Sequence, residues 1–426
     1  MTSRRNRHVP ELNGFVKSGF EEVRDVFRQL LENATERAGS FAAYYRGELV
    51  VNLWAGHTDQ EALRPWKEDT LSFFFSTTKS ASAIVIAHLV DRGLINYEDK
   101  VAQHWPEFAQ NGKEEITLKM LLSHQGGLAA LDEDYCLSWL RDDPVRLTKL
   151  LTNQRPLWKP GTKHGYHPIT VGLYLDQIVR RVDKKHRSLS EYFKEEIAEP
   201  FGIDFHIGLP KKDQYRTARL MWANERMREY YRNTGDNFRG DPTIFGLTLR
   251  NVRDWKRMMV MHDPDFMELP CASSHGLGTA ESVAKLHGIL GNGGTKLGQR
   301  ILSQHVTELL QTPVSWGLDV VYGLEDVYSV GMNLLPVMED EQLYYMFGFG
   351  GIGGQFGAAD TKYRVGWAYV TTHLDLNASR HQQQPRWAGL VDALYRGIHA
   401  IENIKVTRKV YRSFSEFKMP PPRSKL

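Results

Sequence analysis

Segments with strand character lie near the two ends of this chain, and a long helical stretch lies between them. Residues 41–56, FAAYYRGELVVNLWAG, are two β-rich runs flanking Arg46-Gly47, a hairpin signature. Strand-like runs return in the last third as DVYSVGMNLLP, EQLYYMFGFGG and QFGAADTKYRVGWAYVTTHL, the last a hairpin about Asp360-Thr361-Lys362. From about residue 100 to 265 the pattern is helix and loop. Strands must pair, so the two ends are expected to meet in one sheet, with the middle as an insertion. The expected class is α+β. A discontinuous sheet domain takes residues 16–75 plus 270–405, and a mainly helical domain takes 76–269. An N-terminal extension over 1–15 and a C-terminal tail over 406–426 flank them. Helical spacing in FEEVRDVFRQLLENAT and in WAGLVDALYRGIHAI adds a helix near each end. Residues 210–245 are polar and aromatic with no clean period.

The charge balance narrows the partners. With 54 basic and 51 acidic side chains the net charge is +3, which argues against a nucleic-acid surface. The two cysteines, Cys136 and Cys271, make no disulfide framework. No apolar run approaches the about 20 residues of a membrane span. MTSRRNRHVPELNG lacks the apolar core of a secretory signal, so Asn377-Ala378-Ser379 is expected to stay unglycosylated. The final Ser424-Lys425-Leu426, after a proline-rich stretch, reads as the address bound by the peroxisomal import receptor. The expected location is the peroxisomal matrix.

Three stretches carry candidate chemistry. Residues 73–90, FFFSTTKSASAIVIAHLV, turn from an apolar run into a helix, with Ala81, Ile84, Val85 and Leu89 at helical steps. Ser76 and Lys79 stand three apart and share a face. A lysine in this apolar setting must be paired, hydrogen-bonded or deprotonated. One reading is a serine nucleophile with a lysine base. The other is an N-capping serine with a lysine snorkelling to solvent. Next, KPGTKHGYHPITVGLYL (159–175) presents Tyr166 in a loop before a helix starting near Ile169. Its hydroxyl could join a proton relay, as a phenolate if an ammonium lies close, or its ring could simply pack in the core. Finally, FGFGGIGGQFG (347–357) follows a strand. Gly348, Gly350 and Gly353 fit a dinucleotide loop, but a strand rather than a helix follows, so that reading fails. The remaining use of this stretch is backbone N–H groups set against a developing oxyanion.

In this order the three pieces resemble the serine β-lactamase and penicillin-binding-protein superfamily, and within it the class C-like esterase branch and the β-lactamase-domain proteins of animals. The Ser-x-x-Lys motif is Ser76-Thr77-Thr78-Lys79, the tyrosine motif is Tyr166-His167-Pro168, and the third motif is Phe349-Gly350-Gly351. Collateral likeness in LLSHQGGL, PGTKHGYHP, SLSEYFKEEIAEPFGI and GLGTAESVAKLHGILGNGG extends it over about residues 20–400. The resemblance implies an antiparallel sheet flanked by helices in three α/β/α layers, with an inserted helical domain. It implies Ser76 as nucleophile, Lys79 as base, Tyr166 as proton shuttle, and the N–H groups of Ser76 and Ile352 as the oxyanion hole. Gln125 and His167 are implied as cleft or substrate-binding residues. The chain departs from the pattern at Pro168, where the family carries asparagine, and at Phe349, where it carries lysine or histidine. An aromatic at 349 points to an ester or amide with an uncharged acyl portion.

The leading expectation is therefore a serine hydrolase that works through an acyl-serine intermediate on a small ester or amide. No cofactor or metal is expected, since H-E-x-x-H and other ligand clusters are missing from the sequence. The alternative is a scaffold or assembly protein that kept the fold and lost turnover. Against it stands Lys79: a buried lysine costs stability, and a scaffold is expected to have no use for one. A specialised β-lactamase or a peptidoglycan peptidase ranks third, because of Phe349 and the tail.

Overall fold

The computed structural model describes residues 9–223, 243–255, 258–296, 298–375 and 385–410. Ser424, Lys425, Leu426 and Asn377 lie outside the described residues, as does part of the 210–245 stretch.

The end-to-end pairing takes the form of one ten-stranded antiparallel sheet. Three of its strands come from the start of the chain: β1 (Leu12–Val16), β2 (Gly39–Tyr45) and β3 (Glu48–Ala55). The rest come from the end: β4 (Ser315–Asp319), β5 (Leu324–Tyr328), β6 (Asn333–Glu339), β7 (Gln342–Gly350), β8 (Phe356–Asp360), β9 (Val365–Thr371) and β10 (Arg408–Val410). The spatial order is β1-β3-β2-β9-β8-β7-β6-β5-β4, with β10 also on β6. The seam between the two chain ends is β2 on β9, running from Gly39↔Thr371 to Tyr45↔Val365.

Side chains alternate across this seam, as the pleat requires. Phe41, Ala43, Trp367 and Tyr369 face one core with α1 (Glu21–Glu32) and α5 (Pro385–Glu402). Ala42, Tyr44, Ala368 and Val370 face the other, with α4 (Ala280–Gly291) and the helices of the insertion. The result is three layers. The insertion's central helix, α2 (Thr78–Asp91), is buried on nearly every side, so it carries no amphipathic stripe. It stops where Gly93 takes the left-handed conformation.

Four expectations are corrected. Residues 12–15 are not an extension: β1 pairs with β3 from Leu12↔Ala55 to Val16↔Val51, the short LNGFV having too little pattern to read as a strand. Residues 408–410 are not tail but β10, held to 337–339 of β6. DVYSVGMNLLP is two strands, because the chain reverses at Ser329–Met332 and pairs Tyr328 with Asn333. The serine- and threonine-rich start of α2 supplies no side-chain cap; Thr78 Oγ1 instead donates to the Phe75 carbonyl and accepts from Gly276 N–H.

Candidate active site

Ser76 lies in a 3-10 turn, Phe75–Thr77, that feeds α2. Phe75, just before it, holds a left-handed φ of +47°. A bulky residue holds such a backbone at a cost of about 1–3 kcal/mol, and only where its surroundings over-determine it. Here Phe73, Phe74 and Phe75 are all buried in the core, and the Phe75 carbonyl is bound by Thr78. The turn leaves Ser76 partly exposed at the head of an otherwise buried helix.

Lys79 is buried, and its Nζ has three neighbours: the Pro168 carbonyl at 2.7 Å, the Ser273 carbonyl at 2.9 Å and Ser76 Oγ at 3.2 Å. Burial pulls its ammonium down to about 7. A neutral amine can donate its two hydrogens to the two carbonyls and turn its lone pair to Ser76 Oγ. The snorkelling lysine and the capping serine are thus both excluded by the geometry. Ser273 is itself fixed: its Oγ donates to the Ile169 carbonyl and accepts from Gly172 N–H, at the start of α3 (Thr170–Val182).

Tyr166 O–H donates to Ser76 Oγ at 2.7 Å. Its ring lies under Lys79 Nζ, 4.8 Å from the centroid, and beside the rings of Tyr322, Phe349 and His124 at 5.0, 5.9 and 5.1 Å. Burial, reinforced by Asp319 and Asp326, pushes the phenol up, against the hydrogen bond to Ser76. The phenolate weighed from sequence is therefore replaced by a neutral phenol, because burial penalises the anion and the neighbouring carboxylates repel it.

The third motif closes the site. A Cβ on Gly351 would sit 2.2 Å from the Phe74 carbonyl, so β7 can approach the Ser76 turn only with glycine there. Gly350 and Gly351 thereby bring Ile352 up to that turn, where it opens the 3-10 turn Ile352–Gly354. The first N–H groups of such a turn have no partner within it. Gly353 takes φ +86°, and its carbonyl is gripped at 2.7 Å by buried Arg386, whose charge faces buried Glu36. Phe349 is buried, with Lys79 Nζ 5.6 Å from its ring centroid.

One predicted residue is placed elsewhere. His167 is wholly buried, with Nε2 accepting from Leu128 N–H and Nδ1 on the Gly165 carbonyl; burial holds it down to about 3. With both ring nitrogens engaged it binds the loop rather than a substrate. Gln125 donates its side-chain amide to Ser123 Oγ at 2.8 Å, and its backbone carbonyl accepts from Gly161 N–H. The residues missed from sequence are Ser273, Asp319, Tyr322, His124 and the Glu36–Arg386 pair. All reach the site from distant segments; only His124 lies in a stretch that the resemblance singles out, LLSHQGGL, beside Gln125. Among the described residues no group of His, Cys, Asp and Glu is placed to hold a metal, and no helix is long and apolar enough to cross a membrane.

Known proteins are similar to this chain over most of its length. A family model described as Beta-lactamase matches residues 23–391. The esterase/beta-lactamase LipL of Mycobacterium tuberculosis is 31% identical over 348 residues, covering 79% of this chain and 77% of that protein. Among solved structures, a family VIII carboxylesterase superposes with a TM-score of 0.79 at 32% identity, over 91% of this chain and all of the other. A penicillin-binding-protein homologue from Caulobacter crescentus gives 0.76 at 30% identity, again over 91% of this chain and all of the other.

Proposed function

Since the chain belongs to the serine β-lactamase and penicillin-binding-protein superfamily and is a serine hydrolase of esters or amides, we propose that it cleaves carboxylic esters with an uncharged acyl portion through an acyl intermediate on Ser76. The observation that carries this is the placement of Ser76 Oγ between Lys79 Nζ at 3.2 Å and the Tyr166 hydroxyl at 2.7 Å. Neutral Lys79 takes the Ser76 proton as Oγ attacks the acyl carbon. The N–H groups of Ser76 and Ile352 bind the developing oxyanion. Tyr166, a neutral phenol, gives its proton to the departing alkoxide and regains one from Lys79, which passes on the proton it took from Ser76 and is neutral again. Water then attacks the acyl-serine, Lys79 takes its proton, and that proton returns to Ser76 Oγ as the acyl bond breaks. Phe349 puts an apolar ring where a charged anchor for a substrate carboxylate would otherwise stand, which supports the uncharged acyl class.

Intact-protein mass spectrometry after a fluorophosphonate probe tests the reading. Wild type is expected to gain one adduct that Ser76→Ala does not. No adduct on folded wild-type protein would transfer the case to the scaffold alternative. The Ser424-Lys425-Leu426 ending supports delivery to the peroxisomal matrix by the import receptor. A fluorescent fusion with the chain's own carboxy terminus free should be punctate, and deletion of Leu426 should disperse it; a punctate pattern in the deletion would reject this location.

A further inference from the structure

Tyr166 comes from a loop of the insertion, and something must fix that loop relative to Ser76. The hydroxyl contact with Ser76 is a single hydrogen bond. A second, stronger hold lies at the other end of the residue. Tyr166 N–H donates at 2.8 Å to Oδ2 of Asp319, the last residue of β4. Asp319 is fully buried, and its other oxygen accepts from Val321 N–H at 2.8 Å and Tyr322 N–H at 3.0 Å. Tyr328 O–H reaches it at 3.3 Å and bonds Asp326 at 2.9 Å. One carboxylate thus ties the Tyr166 loop to the turn after β4. That turn carries the Tyr322 ring, which lies nearly parallel to the Tyr166 ring at 22°, with centroids 5.0 Å apart. The loops also interlock: a Cβ on Gly165 would fall 2.8 Å from Val320 Cγ2, and Val320 N–H bonds the His164 carbonyl.

We propose that Asp319 is the positioning residue for the Tyr166 phenol, holding its backbone directly and its ring through the Val321–Tyr322 turn. The proposal rests on the reading of Tyr166 as the proton carrier above. A carboxylate buried here is costly: burial first, and the nearby Asp326 charge, push it up to about 6. Three backbone N–H groups partly offset that cost, and all three belong to the two loops it joins. A displacement of about 1 Å in a reacting group can cost on the order of 100-fold in rate, which sets the scale of what such an anchor controls.

The test is a double-mutant cycle on ester hydrolysis. Asp319→Asn keeps the shape but sets an amide against one or more of these N–H donors. In folded protein it should lower kcat by about 10- to 100-fold, with KM within about threefold. In the Tyr166→Phe background the same change should cost less than about threefold, because the phenol it positions is already gone. Equal losses in both backgrounds, or no loss in wild type, would overturn the proposal. Full activity in Tyr166→Phe alone would instead remove the reading of Tyr166 itself, and the proposal with it. Should Asp319→Asn fail to fold, Tyr328→Phe takes its place, since it deletes the hydroxyl that Asp319 shares with Asp326 and keeps the ring. Its expected loss is about threefold in wild type and none beside Tyr166→Phe; equal losses, or none in wild type, overturn the proposal.

Discussion

Among the described residues two lysines are buried in the insertion, and only one of them faces a serine. Lys79 is 4% exposed and Lys113 is 0% exposed. Both are pulled down by burial, to about 7 and about 8. Both sit over aromatic rings, Lys79 on Tyr166 and Lys113 on Phe108 at 5.2 Å. The difference is in the third direction of each ammonium. Lys113 Nζ donates to the carbonyls of Gln110, Thr152 and Gln154 at 3.0, 2.7 and 2.7 Å, so every hydrogen has a fixed acceptor. Lys79 has two carbonyls and then a hydroxyl. Three carbonyls make a charged clamp between segments of the insertion, whereas two carbonyls and a hydroxyl leave a lone pair aimed at Oγ. A buried lysine is therefore no evidence against a scaffold, contrary to the expectation from sequence, because Lys113 is one with a purely structural partner set. The evidence is which atom occupies the third direction.

The largest effect that would sharpen this contrast is on rate. Lys79→Ala should lower kcat by about 100- to 10,000-fold, the range for loss of a general base, in a protein whose far-UV circular dichroism is unchanged. A folded variant with more than a tenth of wild-type kcat would break the assignment. The next effect is on stability. Lys113→Met leaves three carbonyls without their donor and should cost about 3 kcal/mol, since an orphaned buried polar group costs about 1–3 kcal/mol and relaxation recovers part. Calorimetry should show Tm lower by roughly 3 °C, while kcat per folded molecule stays within twofold. Loss of activity in the folded variant would mean the two lysines are not divided as described.

The smallest effect separates them by pH. Only the neutral fraction of Lys79 can accept the Ser76 proton, so kcat/KM should fall about tenfold per pH unit below about 7, in wild type and Lys113→Met alike. An acid limb that moves with Lys113→Met would contradict the contrast. Stability obeys a different sum. Each folded lysine holds its proton less tightly than the unfolded chain does, so between the folded value and about 10.4 the unfolded state binds more protons. Stability therefore rises with pH across that window, from about 7 for Lys79 and about 8 for Lys113. Denaturant titrations between pH 7 and 9.5 should find a shallower rise in either substitution than in wild type. An unchanged slope would mean that the lysine concerned keeps its proton in the folded state throughout that range.

Much of this was legible because it is local. The hairpin at Arg46-Gly47 follows from two residues that both take positive φ, and the one at 360–362 follows from the runs on either side of it. Ser76 and Lys79 meet because three residues of turn and helix bring them together whatever the surroundings. Tyr166 was legible as a residue before a helix and through the resemblance, but its ionisation was read with the wrong neighbour. The ammonium lies over the ring face, while the carboxylates of Asp319 and Asp326 and the burial decide against the phenolate. His167 looked like a site residue because it follows Tyr166; the fold turns it into the core. The edge strands β1 and β10 were missed because five and three residues carry too little period to register.

By itself the sequence determined the longer strands and helices, and that the strands of the two ends share one sheet. It also determined that a serine and a lysine stand one helical turn apart. Only the tertiary structure decided the state of that lysine. Its two carbonyl acceptors come from residues 168 and 273, the rings over it from 166 and 349, and the carboxylate behind the tyrosine from 319. Burial and charge act through space and are set by whatever the fold brings within a few ångströms, and these partners lie roughly 90 to 270 positions away along the chain.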